Sequence, residues 1–185
     1  MSQKVFEMNP VDAITAGAVG EPGHREFYIQ ARNLEATITL LAEKVQVQML
    51  AQGVYQLLAE VEDKFAALSE PSPVDPLDLE LRFPLEPEFR VERMELVYDP
   101  ATDMVVLMAH ELEEEDPEDE EQTPSDTASM ARIYATRGQM RALADHALEV
   151  VASGRPICAL CGQSIDAQGH VCPRRNGHAP TQATS

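Results

Sequence analysis

Two stretches of this chain can be laid on one another, and that self-similarity limits the folds open to it more than any other feature. Residues 43–65, EKVQVQMLAQGVYQLLAEVEDKF, carry Val47, Leu50, Ala51, Val54, Leu57, Leu58 and Val61. Residues 136–154, TRGQMRALADHALEVVASG, carry Met140, Leu143, Ala144, Ala147, Val150 and Val151 in the same order. These intervals place one apolar stripe along a helix. A shift of 93 positions lays Gln46, Val47, Leu50 and Ala51 on Gln139, Met140, Leu143 and Ala144, so both helices open on Q(V/M)xxLA. Thr136 with Gln139 three residues on reads as a capping box and fixes the second helix start by itself.

Each helix follows a short apolar run that reads as a strand, TITLLA (37–42) and ARIYA (131–135), and each run follows a hairpin. In the first, VDAITAGAVG and REFYIQARN flank the turn EPGH, with Phe27, Ile29 and Ala31 on one face and Tyr28, Gln30 and Arg32 on the other. In the second, RMELVYD and MVVLMAHEL flank PAT, with Met94, Leu96 and Tyr98 alternating against Glu95, Val97 and Asp99. The second strands, FYIQA and MVVLM, match at an offset near 77. The sixteen residues by which 93 exceeds 77 are about the size of an acidic run, which reads as an insertion into the second copy. The expected body is α+β: two β-β-β-α pseudo-repeats whose strands form an antiparallel sheet packed by two helices. The competing reading is chance likeness between two amphipathic helices.

The units are expected at 1–69 and 90–154, joined by a linker at 70–89 where five prolines forbid a continuous helix. The acidic loop spans 111–129. Nine of the eleven residues from Glu111 to Glu121 are acidic, which makes it a solvated segment first and a decoy for basic partners second. The formal charge of −18 opposes a phosphate backbone as ligand. No apolar run approaches the length of a membrane span, and the opening MSQKVFEMNP has no secretion-signal pattern, so a cytoplasmic protein without a membrane association is expected.

All three cysteines fall between residues 158 and 172, in CALCGQSIDAQGHVC, after a helix end marked by Gly154 and Pro156. An odd, clustered set suits metal ligation better than a disulfide framework. Cys158 and Cys161 form C-x2-C with Gly162 next, which lets backbone amides point at sulfur, and His170 and Cys172 return as H-x-C. Four such donors favour a tetrahedral zinc ion, since an iron–sulfur cluster wants a fourth cysteine. A redox Cys158–Cys161 pair is the alternative. His178 competes with His170 for the fourth position and is disfavoured by its spacing. A shell closed by four protein ligands leaves no place for water, so the expected Zn2+ is structural. The knuckle is assigned to 155–178 and a disordered tail to 179–185.

The run GRPICALCGQSIDAQGHVCPRRNGH, with EKVQVQMLA and MELVYDPATDMVVLMAHEL, resembles the bacterial family called domain of unknown function 3090, some of whose members are labelled "repeat protein". The resemblance covers about residues 4–178 and places the metal-type positions at Cys158, Cys161, His170 and Cys172. It implies no activity. Family members often stand near a histidine-phosphatase-like and a lipid-kinase-like protein, which implies at most a phosphorylation-linked role.

Three functions remain open. The leading one is a non-catalytic interaction or scaffold protein with a structural zinc and a protein partner. Single-stranded nucleic-acid binding would use strand aromatics and the Arg155, Arg174, Arg175 and His178 cluster, against the charge and only nine aromatics. An enzyme, or an accessory factor of a phosphorylation-linked pathway, would need a nucleophile with a base or a glycine-rich phosphate cradle, and neither motif is present. His24, His110 and His146 each read as surface or half-buried histidines.

Overall fold

The computed structural model describes residues 4–21, 23–65, 68–112, 128–153, 160, 161, 172 and 174. Its strands are β1 (Val5–Met8), β2 (Ala13–Val19), β3 (Glu26–Arg32), β4 (Thr37–Ala42), β5 (Phe89–Asp99), β6 (Met104–Glu111) and β7 (Met130–Thr136). Helix α1 (Lys44–Lys64) follows β4, and α2 (Arg137–Ala152) follows β7. The α+β class and the two strand–strand–strand–helix units are present as expected. Strand β1 was not anticipated: four residues with alternating exposure give almost no periodic signal.

The seven strands form one sheet in the order β1-β7-β6-β5-β4-β3-β2. Within each unit the pairs are antiparallel, but the units meet through two parallel seams, Leu40 opposite Phe89 and Met8 opposite Ile133. The sheet curls back on itself. Six strand spacings would part β1 from β2 by about 29 Å if flat, whereas the five Cα steps from Met8 to Ala13 span at most about 18 Å. The residues between them bridge the gap directly: Val11 N–H donates to Tyr134 O at 3.0 Å, and Asp12 N–H donates to Arg32 O at 2.8 Å. β1 and β2 therefore act as one interrupted strand, the counterpart of the long β5, whose first residues likewise pair with one unit and the rest with the other.

The repeat is thus cyclic, each unit's third strand starting the next unit's first. The registers refine the offsets read from sequence. Phe27 faces Ala42 and Val105 faces Ala135, so the second strands correspond at 78 rather than 77, and Ile14 answers to Met94. The acidic run separates β6 from β7 where only 33–36 separate β3 from β4, and most of it lies outside the described residues.

Core residues come from the predicted faces. Phe27, Ile29, Ala31, Val105, Leu107 and Ala109 are buried beneath the two helices together with Val47, Leu50, Ala51, Val54, Leu58, Met140, Leu143, Ala144 and Ala147. The shared glutamine that opens both helices has a role the pattern did not reveal. Gln46 Oε1 accepts from Glu43 N–H at 2.7 Å, while its Nε2 donates to Val91 O and Glu92 O, both at 2.9 Å. Gln139 Oε1 accepts from Thr136 N–H at 2.9 Å, and its Nε2 donates to Val11 O at 3.2 Å and Asp12 O at 2.9 Å. Each glutamine caps its own helix and clamps the first strand of the other unit, satisfying carbonyls at the point where that strand changes partners.

Candidate functional site

After α1 the chain does not cross as a bare linker. Arg137 Nη2 on α2 donates to Ser69 O at 2.7 Å, and the next residues pass so close to the start of α2 that a Cβ on Gly138 would lie 2.4 Å from Ser72 O. A 3-10 turn, Pro76–Leu79, opened by Asp75 accepting from Leu77 N–H at 2.9 Å, packs against β2 and α2. The chain then lies across the outer face of β2 and β3. Thr15 Oγ1 donates to Leu79 O at 2.5 Å, Arg32 pairs with Asp78 at 2.7 Å, and Gln30 exchanges two bonds with the backbone of Arg82 at 2.8 and 2.9 Å. Gly17 makes room for the Leu81 side chain, which a Cβ would meet at 2.4 Å. Thr15 and Gln30 are buried with partners supplied by this roof, and Gln30 Nε2 also donates to the buried Thr39 Oγ1 at 3.0 Å.

The matching positions in the second unit are unroofed. β5 has β4 beside it only at Phe89 and Arg90; from Val91 onward no strand among the described residues pairs along that edge. Between it and α1 lies a groove of about 490 Å³, lined chiefly by Met49, Gly53, Leu57, Met94 and Leu96, with Glu60, Glu92 and Arg93 at its margins. Gly53 gives the helix no side chain there, and Met49 is 63% exposed. On the other helix the counterparts of Met49 and Gly53 are Ala142 and His146, those of Met94 and Leu96 on β2 are Ile14 and Ala16, and α2 packs along β2 more extensively than α1 along β5. Next to the groove, Glu95 and Val97 are exposed where Thr15 and Gly17 are buried. His110 stands where Arg32 stands in the first unit. Its Nε2 is buried without a hydrogen-bond partner among the described residues, although Glu95 Oε1 lies 3.5 Å away.

A second polar cluster sits at the start of α2. Arg137, 6% exposed, grips Asp103 through Nε at 2.7 Å and Nη2 at 3.1 Å, and Tyr98 OH donates to Asp103 Oδ1 at 2.8 Å. Asp103 has the left-handed φ of 53°, which aspartate tolerates. The hydrogen bond from Arg137 holds the Asp103 carboxyl below its ordinary value against a smaller effect of burial, and the same bond raises Arg137. Burial and then the bond to Asp103 push the Tyr98 phenol up. Arg137 Nε and Nη2 and the Tyr98 hydroxyl each have an acceptor, so the cluster fastens α2 and Ser69 to the β5–β6 hairpin.

Of the expected metal ligands, Cys161 and Cys172 are described and half-buried. Arg174 Nη1 donates to Leu160 O at 3.0 Å, so the two arms that carry these cysteines meet. Cys158, His170 and His178 lie outside the described residues, as do Arg155 and Arg175. Among the described residues no group of three or more His, Cys, Asp or Glu side chains is placed to hold a metal ion. The three other histidines are scattered: His24 is exposed in the β2–β3 turn, His110 ends β6, and His146 on α2 faces Glu149 at 3.9 Å. Phe27, Tyr28 and Phe89, the strand aromatics that stacking on bases would use, are buried at 5, 7 and 5% exposure. No described helix is long and apolar enough to cross a membrane.

The groove was missed in sequence, yet it left one signal. Gly53 interrupts an otherwise regular helical stripe at a cost near 1 kcal/mol, which argues for a packing or binding reason.

Residues 6–172 match the model of the family described as "Protein of unknown function (DUF3090)", and the chain belongs to that family. No curated protein and no solved structure matches it.

Proposed function

With membership of that family as the premise, we propose that this chain is a non-catalytic interaction protein of the cytoplasm. Its partner is a protein, its docking surface is the groove between α1 and β5, and its C-terminal segment holds one structural zinc through Cys158, Cys161, His170 and Cys172. The observation that carries the reading is the asymmetry between units: the 3-10 turn packs against α2 and β2 in the first, and the matching space between α1 and β5 is open in the second. A free strand edge beside an apolar helix face is a common receptor for an extended peptide, whose backbone completes the sheet while its side chains fill the groove. The zinc reading is supported by ligand spacing and by the contact between Arg174 and Leu160, which brings two of the cysteine-bearing arms together.

The test uses the full chain. Elemental analysis of untagged protein is expected to give one zinc per chain, and a chelator is expected to release it while leaving the far-ultraviolet spectrum of the sheet and helices unchanged. A protein that co-purifies with the wild type should be lost from Met49→Arg and from Gly53→Leu, both of which obstruct the groove. Retention of that partner by both variants, or turnover of phosphate esters or nucleic acid by the purified chain, would overturn the reading.

A further inference from the structure

The groove between α1 and β5 is held at both ends. Helix α1 runs the same way as β5 and is fastened to it twice: Gln46 Nε2 donates to Val91 O and Glu92 O at 2.9 Å, and the Phe65 ring stands 5.5 Å from the Tyr98 ring. Between those contacts Leu96 reaches beneath Gly53, whose missing side chain keeps the middle clear. Residues 93–98 pair with β6 on one side and with no described strand on the other. Six residues of strand span about 20 Å and turn about three N–H and three C=O groups toward that open edge. Side chains alternate, so Met94 and Leu96 line the groove while Glu95 and Val97 face outward. One exposed carboxylate stands at each end, Glu92 beside the Gln46 contact and Glu60 on the last turns of α1.

We propose that the groove takes an extended, basic segment of a partner protein: about six residues added as a strand to β5, with apolar side chains at alternate positions against Met49, Gly53 and Leu57, and a Lys or Arg at each end beside Glu92 and Glu60. The proposal rests on the groove being the docking surface and names what that surface admits. Backbone chemistry selects the strand. Any occupant that fills the groove also covers the β5 edge, and a helix or an acyl chain would leave those N–H and C=O groups without partners in a dry site, whereas an extended backbone supplies them in register. Charge selects the ends. Arg93 is committed to Glu95 at 3.7 Å, Lys64 meets Glu60 only at 3.8 Å with both side chains at least half exposed, and Glu92 is in no ion pair among the described residues. A chain of formal charge −18 also draws a cationic segment toward it.

Random ten-residue peptides displayed on phage and selected on the purified full chain test this without a known partner. The selected sequences are expected to alternate apolar and polar residues over about six positions, with Lys or Arg on either side. A synthetic peptide of one such sequence should bind more weakly as salt is raised. It should lose about ten-fold in affinity when its flanking cations become Glu, and about ten-fold when the amides that face β5 are N-methylated. Glu60→Lys combined with Glu92→Lys should turn the flanking preference to Asp and Glu; both positions are exposed, so the double variant keeps its fold and stays readable. Apolar residues at helical spacing, flanks without a basic preference, indifference to N-methylation, an unchanged preference in the double variant, or no selection at all would each overturn the proposal. Loss of a co-purifying protein from Met49→Arg and Gly53→Leu would survive every one of those results, so the groove can stand as a docking surface while the basic strand falls.

Discussion

The two halves of this sheet share a backbone plan and differ in how their outer faces are finished. In the first unit Thr15, Gly17, Gln30 and Thr39 form a polar, narrow bed shaped to receive the backbone of residues 79–82. In the second, Glu95, Val97, Met108 and Arg132 occupy the same places, and their side chains bond no crossing backbone among the described residues; Glu95 faces Arg93 and His110, and Arg132 faces Glu7. A buried threonine or glutamine is tolerable only with its partner present. The composition of each bed therefore records whether chain is permanently there.

The sharpest way to break that comparison is at the helix starts. Gly138→Val drives a branched side chain into the Ser72 carbonyl, which belongs to backbone and cannot swing aside, and should cost about 2–4 kcal/mol in a urea titration. The counterpart change, Val45→Gly, removes an exposed side chain and should cost no more than about 1 kcal/mol. Equal losses would mean that the two starts are packed alike and that the asymmetry is an error.

Where the halves agree, substitutions should agree. Gln46→Ala and Gln139→Ala each remove a cap and two bonds to strand carbonyls, and each should destabilise by about 2 kcal/mol. A difference larger than about 1 kcal/mol, beyond the usual context spread for a hydrogen bond, would break the equivalence of the clamps.

These clamps also mark the limit of what the sequence discloses. The helices, six of the seven strands and the faces they bury follow from periodicity, because burial repeats every two or 3.6 residues and leaves a pattern. Gln46 and Gln139 were visible as a shared letter, but their targets, Val91 and Val11, are distant in the chain and carry no mark of being clamped. The closure of the sheet depended on β1, too short to show a period. Residues 70–89 read as a linker because prolines announce only that no helix continues; that the segment roofs a sheet depends on Thr15 and Gln30, far upstream. For the metal, spacing alone proposed the ligands, and the structure adds just the meeting of the arms at Leu160 and Arg174.

A smaller effect sharpens the groove. Gly53→Ala should stabilise the helix by about 1 kcal/mol or less, because the helical preference of alanine is offset by a contact of 3.3 Å between the new Cβ and Leu96 Cδ1. His146→Ala, at the corresponding position of α2, gains no such preference over glycine and should change stability by less than about 0.5 kcal/mol. A loss of stability in Gly53→Ala would show that Leu96 is too tightly held for the groove to admit a side chain.

The smallest expected difference between the halves is electrostatic. Asp103 closes the second hairpin, where Arg25 stands in the first, and the hydrogen bond from Arg137 lowers its carboxyl below 3.8. A carboxyl that ionises more readily folded than unfolded stabilises the fold above its unfolded value, and that contribution disappears as pH falls through the folded one. The window is therefore below about pH 4. Asp103 is 41% exposed, so the contribution is discounted to about 1 kcal/mol or less. Asp103→Asn keeps a residue that accepts the left-handed backbone but has no charge to lose. Its urea midpoint should fall less steeply than that of the wild type between pH 5 and pH 3. Arg25→Gln should leave the wild-type slope intact, since Arg25 donates to the Val150 carbonyl rather than to a carboxylate. Identical slopes for Asp103→Asn and wild type would mean that solvent already screens the Arg137 pair, and the second hairpin would then be fastened by geometry alone.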